Sequence, residues 1–287
     1  SYRMMGDIVI EPDSKITDKD LTDLLKNNCE DEEIKKFETK NELDTAVILG
    51  DLRFRANFYK TLNGLAAVLR RVETKIPLME DLNLPQILFS LLDAHKGLVL
   101  VTGPTGSGKS TTLAAIINQI NESRPSNIIT IEDPVEFIHK DKKSIVSQRE
   151  VGRDAKSFAS ALKASLREDP DVILVGELRD LETVQLAITA AETGHLVFGT
   201  LHTSGAPNTI NRLIDVFPAA QQGQVRPQLA ESLRLVVTQQ LVKTADGNGR
   251  VAAFEIMVCN HAVRKLVREG KIFQIAGVMQ TARGEGM

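Results

Sequence analysis

From Gln86 onward, short wholly apolar runs alternate with longer segments in which apolar residues return every three to four positions. The runs Leu98–Val101, Ile128–Ile131, Val172–Val175 and Leu196–Thr200 have no polar face, as strands buried on both sides require. The intervening Lys109–Ser123, Lys156–Glu168 and Leu181–Thr193 have helical spacing, and Gly194 stands where the residue after a helix C-terminus is expected. This alternation predicts an α/β fold with a mostly parallel sheet covered by helices. Past Asn208 the pattern becomes mainly helical, and Gln240–Val258 predicts a strand pair with Asp246-Gly247 as its turn.

The first part of the chain is patterned differently. Residues 1–75 predict a small mixed α+β unit, with a polar helix over Asp18–Thr39 and strands on either side. Over Asp51–Phe58, apolar Leu52, Phe54, Ala56 and Phe58 alternate with Arg53, Arg55 and Asn57, so period two puts both arginines on one exposed face. A second strand over Leu65–Val72 ends with Arg70 and Arg71. The pattern alone fits a solvated edge face that discourages aggregation, or arginines offered to an anion. Residues 76–85, beginning around Pro77, predict a linker, which leaves residues 86–287 as the larger domain.

A chain of 287 residues accommodates two such domains, and 42% hydrophobic with 25% charged residues is an ordinary globular composition. A net charge of −3 and 4% aromatic residues argue against a nucleic-acid partner, which calls for basic surface and stacking platforms. Cys29 and Cys259 lack metal-ligand spacing, as expected of reduced structural thiols in a cytosolic protein. No apolar run approaches the roughly 18 residues of a membrane span, and Ser1–Ile10 has no signal-peptide pattern.

Candidate chemistry gathers at the ends of the predicted strands. Gly103-Pro104-Thr105-Gly106-Ser107-Gly108-Lys109-Ser110, followed by Thr111, matches G-x-x-x-x-G-K-[ST] between a strand and a helix. Its glycines let backbone N–H groups turn inward around a β-phosphate, and the helix N-terminus adds partial positive charge. Lys109 is placed to reach the β- and γ-phosphates, and the Ser110 hydroxyl to ligate Mg²⁺. No Asn-Lys-x-Asp guanine-reading motif occurs, so ATP is the expected nucleotide. Ile128–Glu136 runs a buried strand into Glu132, Asp133 and Glu136, and Asp133-Pro134 turns the chain so that Glu136 folds back over the site. Asp171–Glu177 has the form of a second nucleotide-site strand, with Gly176 where many such sites carry Asp, so Glu177 is expected to reach the metal through water. Spacing leaves open whether Glu136 or Glu177 is the base. His195 and His202 flank an apolar strand, and His202, at its carboxyl end, is the better candidate to sense a γ-phosphate.

Together, Gly103–Thr111, the acidic box Ile131–Phe137, Glu177-Leu178-Arg179-Asp180 and the histidine box Gly194–Thr203 resemble the secretion and pilus ATPases, specifically the PilT-like retraction motors. Ala262–Lys271 is similar to that group's A-I-R-N-L-I-R-E helix, with Lys265 its least conservative departure. The resemblance implies a PAS-like N-terminal domain, a RecA-like P-loop domain and a homohexameric ring that couples Mg-ATP hydrolysis to type IV pilus retraction. Glu136 becomes the general base, Glu177 the Walker-B glutamate, His195 and His202 the histidine-box residues, and Arg53, Arg55 and Arg70 arginines for the phosphates. The implied setting is cytoplasmic, peripheral to the inner membrane through a platform protein of the pilus machine. The resemblance leads to the expectation that the family's first stretch, before Ser1, and the end of its C-terminal domain are missing from this sequence. The main alternative, an assembly or type II secretion motor, commonly carries a tetracysteine zinc site, which two cysteines cannot build.

Overall fold

A computed structural model describes residues 2–4, 7–11, 15–50, 52–72, 75–247 and 249–287. The chain divides into two compact units, Ser1–Thr74 and Lys75–Met287.

In the smaller unit, β1 (Tyr2–Met4) and β2 (Asp7–Val9) form an antiparallel pair, followed by α1 (Asp18–Asn28) and α2 (Asp31–Lys40). Thus the single helix expected over Asp18–Thr39 is two. Cys29 adopts extended backbone, and each helix has its own cap: Thr17 and Asp20 box the start of α1, and Glu30 and Glu33 box α2. Strands β3 (Glu42–Leu49), β4 (Leu52–Thr61) and β5 (Gly64–Val72) make an antiparallel sheet, packed through Val47, Ala56 and Phe58 against Leu25 and Phe37. Asp51, where β4 was expected to begin, lies outside the described residues.

The larger unit contains β6 (Gly97–Thr102), α3 (Lys109–Ser123), β7 (Asn127–Glu132), β8 (Ile145–Glu150), α4 (Phe158–Ser165), β9 (Val172–Val175), α5 (Leu181–Glu192) and β10 (Leu196–Leu201). It continues with α6 (Ala206–Asp215), α7 (Ala219–Ser232), β11 (Leu233–Lys243), β12 (Arg250–Val258), α8 (His261–Glu269) and α9 (Ile275–Thr281). The sheet order is β12-β11-β6-β10-β9-β7-β8, parallel throughout except for β12. Alternate residues of the central strands enter two cores. Leu98, Leu100, Ile173 and Val197 pack with α4 to α8, and Val99, Val101, Leu174 and Phe198 with α3.

The expected linker is instead part of the larger unit: Met79 is fully buried and Leu84 nearly so, packed in the core beneath α3. Burying these side chains outweighs the chain-breaking tendency of Pro77 and Pro85. Helix α4 is shorter than Lys156–Glu168 because Ser157 caps it late and its last turn tightens, Arg167 N–H reaching Ala164 O and Glu168 N–H reaching Ser165 O. Among the described residues, no helix is long and apolar enough to cross a membrane. Both cysteines are free, and burial pushes the Cys259 thiol up to about 11.

Candidate nucleotide site

Because β6, β7, β9 and β10 are parallel, their carboxyl ends lie on one edge of the sheet, where ligands of such folds bind. That edge carries the phosphate loop after β6, the acidic segment after β7, Glu177 after β9 and His202 after β10. Gly103, Gly106 and Gly108 all have positive φ, at 139°, 78° and 90°. At Gly103 a Cβ would lie 2.2 Å from the Gln239 carbonyl oxygen, and at Gly108 it would lie 2.7 Å from Gln239 Nε2. Gly106 faces open space, with nothing within 4 Å of that position. All three glycines are favoured by their positive φ; Gly103 is in addition required by the Gln239 backbone, and Gly108 meets the end of the Gln239 side chain.

That neighbour was not identifiable from the motif. Gln239 is buried on β11, its backbone oxygen against Gly103 and its side-chain oxygen accepting a 2.8 Å hydrogen bond from Thr112 Oγ1 on α3. Beside it Thr102 and Thr238 share a 3.0 Å hydroxyl contact. Strand β11 thus fixes both the start of the loop and the helix that follows. Gly103→Ala is expected to cost at least about 1–3 kcal/mol from backbone strain alone, with the clash added. Gly106→Ala should incur only the strain, so urea unfolding should rank Gly103→Ala as clearly less stable.

Lys109 Nζ donates to Gly103 O at 2.9 Å and to Pro104 O at 3.1 Å. Burial pushes its pKa below the usual lysine range, against the opposing charges of Glu177 and Glu136. The buried Ser107 hydroxyl has no hydrogen-bond partner. An open glycine loop, a converging cation and an unsatisfied buried hydroxyl fit a polyphosphate. Pro104 and Thr105 are exposed on the loop, and Ser110 and Thr111 are half-buried in the first turn of α3.

Glu177 is half-buried, with Oε2 at 2.6 Å from Arg179 and 3.3 Å from His202 Nε2. Burial alone would raise its pKa, but the Arg179 hydrogen bond and charge, with His202, hold it below the usual carboxylate range. The absence of Asp before it has a steric basis: a Cβ at Gly176 would sit 3.1 Å from Ile131 O and 3.2 Å from Glu132 Cα. Among the described residues no cluster of three His, Cys, Asp or Glu side chains is arranged to hold a metal, so a Mg²⁺ ion bound by Ser110 and Glu177 would need phosphate oxygens or waters to complete its shell. Glu136 is exposed beyond β7, close enough that its charge acts on Lys109.

His195 lies elsewhere. It precedes β10, so it falls at the amino end of the strand, one strand length from His202. Its Nδ1 is 2.9 Å from Ala190 O, and its backbone oxygen accepts from Gly97 N–H. Within this chain it ties α5 to the start of the sheet rather than facing the phosphate loop. In the smaller unit, Arg55 of β4 stands directly opposite Arg70 of β5, with Arg53 on the same face. Like charges so placed are destabilising, and Asp44 lies 3.8 Å from Arg55 as a counter-charge. Arg179, which also feels Asp133, completes the acidic edge.

Comparison with known proteins places this arrangement. Residues 41–285 match the family described as type II/IV secretion system protein. The chain is 55% identical over 258 residues to a twitching motility protein of Neisseria gonorrhoeae, covering 90% of this chain and 69% of that one. It is 52% identical over 258 residues to the type IV pilus retraction ATPase PilT of Pseudomonas aeruginosa, covering 90% and 75%. The crystal structure of a pilus retraction motor PilT with bound ADP superposes with a TM-score of 0.87 at 49% identity, over 92% of this chain and 77% of that one.

Proposed function

The chain belongs to the type II/IV secretion system protein family, and we infer from its nucleotide edge that it is an ATPase powering type IV pilus retraction. The observation that carries this reading is the convergence, on one edge of a parallel sheet, of a phosphate loop shaped by β11, Lys109, and the Glu177–His202 pair. The loop N–H groups and Lys109 bind and orient the polyphosphate. Glu136 takes the proton of the attacking water, and His202, tied to Glu177, senses whether the γ-phosphate is present. A Mg²⁺ ion held through Ser110, with Glu177 behind a water, would neutralise charge on the transferring phosphoryl group. Pro104 to Thr111 line the phosphates.

Arg53, Arg55 and Arg70 are the proposed source of further positive charge in an assembled homohexamer. Their repulsive alignment on one face is relieved when an anion is supplied. His195 acts in this scheme through the packing of α5. The motor acts at the inner membrane through a platform partner, from the cytoplasmic side, and without nucleic acid.

The test is Mg-dependent ATPase activity across a protein concentration series, with mass measured in parallel. Specific activity should rise as hexamer forms. Full activity in a monomer at every concentration would sink the shared ring site.

A further inference from the structure

Glu136 projects from a segment that has no regular structure, yet the chain on both sides of it is pinned. Val135 N–H donates to Glu150 Oε2 at 3.0 Å. Phe137 O accepts from Gln148 Nε2 at 2.9 Å, and His139 N–H donates to Gln148 Oε1 at 2.8 Å. Both clamping side chains come from β8, the edge strand. Gln148 Nε2 also donates, at 3.2 Å, to Glu132 Oε1, which accepts a 2.6 Å hydrogen bond from Thr130 Oγ1. Glu132 is the last residue of β7, and its backbone oxygen accepts from Val151 N–H at 2.8 Å. Glu150 is itself anchored, its N–H donating to Asp154 Oδ2 at 3.0 Å.

Resting on the assignment of Glu136 as base, we propose that Gln148 and Glu150 are positioning residues that hold its carboxylate at the nucleotide edge. The requirement on residue 148 is chemical. One end must accept from a backbone N–H while the other donates to two oxygens, and an amide does both. Glutamate at 148 lacks the donors and would set a second carboxylate against Glu132, and methionine matches the length with neither function. Without the clamp, residues 133–139 keep the buried Phe137 as an anchor, but the peptide groups flanking Glu136 lose their side-chain partners. Misplacing a catalytic group by about 1 Å costs on the order of 10²-fold in rate. A loosened clamp should therefore appear in kcat, because Lys109 and the phosphate loop, which set nucleotide affinity, are untouched.

The experiment compares the parent chain with Gln148→Met, Glu136→Ala and the double variant, measuring steady-state hydrolysis, affinity for a fluorescent ADP analogue, and melting temperature. Gln148→Met is expected to lower kcat at least about 10-fold, with KM and ADP affinity within about twofold. The double variant should be no less active than Glu136→Ala alone, because both changes act through one carboxylate. Full kcat in Gln148→Met, or a further loss on top of Glu136→Ala, would overturn the inference while leaving Glu136 as base. Undiminished hydrolysis by Glu136→Ala would instead sink the base assignment and the clamp's purpose with it. If Gln148→Met does not fold, Glu150→Met against Glu150→Gln tests the other half of the clamp. The glutamine keeps an acceptor for Val135 N–H and should retain at least about 10-fold more kcat than methionine, and equal rates would count against the proposal.

Discussion

Lys109→Ala is expected to abolish measurable ATP hydrolysis while leaving the fold intact. The ammonium is buried at the start of α3 and converges with the glycine loop, so its charge acts where little solvent screens it. Removing one preorganised charge of this kind costs about 10²–10³-fold or more in turnover. Two observations make the structural cost small. Its partners are the neutral carbonyls of Gly103 and Pro104, and burial of the charged group already works against it. Melting should therefore place the variant within about 2 kcal/mol of the parent. Retained hydrolysis in a folded variant would show that this loop is not the hydrolytic site.

Glu136→Ala should lower kcat by about 10²–10⁴-fold, the range for losing a general base, with ADP binding preserved. Naming Glu136 rather than Glu177 as the expected base rests on the surroundings of Glu177. Glu177 already pairs with Arg179 and His202, which hold its pKa down despite burial. A carboxylate so stabilised is a weak proton acceptor. Its depressed pKa also fixes a sign: the ion pair's contribution to stability is present above the unfolded carboxylate pKa and is lost only as pH falls through the lower folded value. Glu177 thus stays ionised across the neutral range, which suits an electrostatic partner. If Glu136→Ala turns over normally and Glu177→Gln does not, the base is Glu177.

The parts of this architecture legible in the sequence are those whose burial leaves a one-dimensional trace. Strand Val172–Val175 and helix Lys109–Ser123 have the bounds expected from their patterns, because a strand covered on both faces is apolar at every position and α3 begins within a motif. Strand β8 left no such trace, since an edge strand reading Ile-Val-Ser-Gln-Arg-Glu has half-exposed side chains and ordinary polarity. The first half of β11, Leu233–Val237, follows α7 without a break and resembles a continuing helix until its partners β6 and β12 are seen. The two glutamines described above, Gln148 and Gln239, both sit on these elements. Their importance comes from which backbone groups they meet, and that depends on strand pairing rather than on residue type. His195, noticed through its motif, lies at the amino end of β10, as its place before that strand already implied.

Gln239 also joins the nucleotide edge to the far side of the sheet. Its carbonyl lies so close to Gly103 that even a methyl group does not fit, so the start of the phosphate loop has no slack relative to β11. β11 is hydrogen-bonded along its length to β12, whose end leads through Asn260, the cap of α8, into that helix. The start of the phosphate loop is in this way tied by close packing and strand pairing to the hairpin, and through the hairpin to α8.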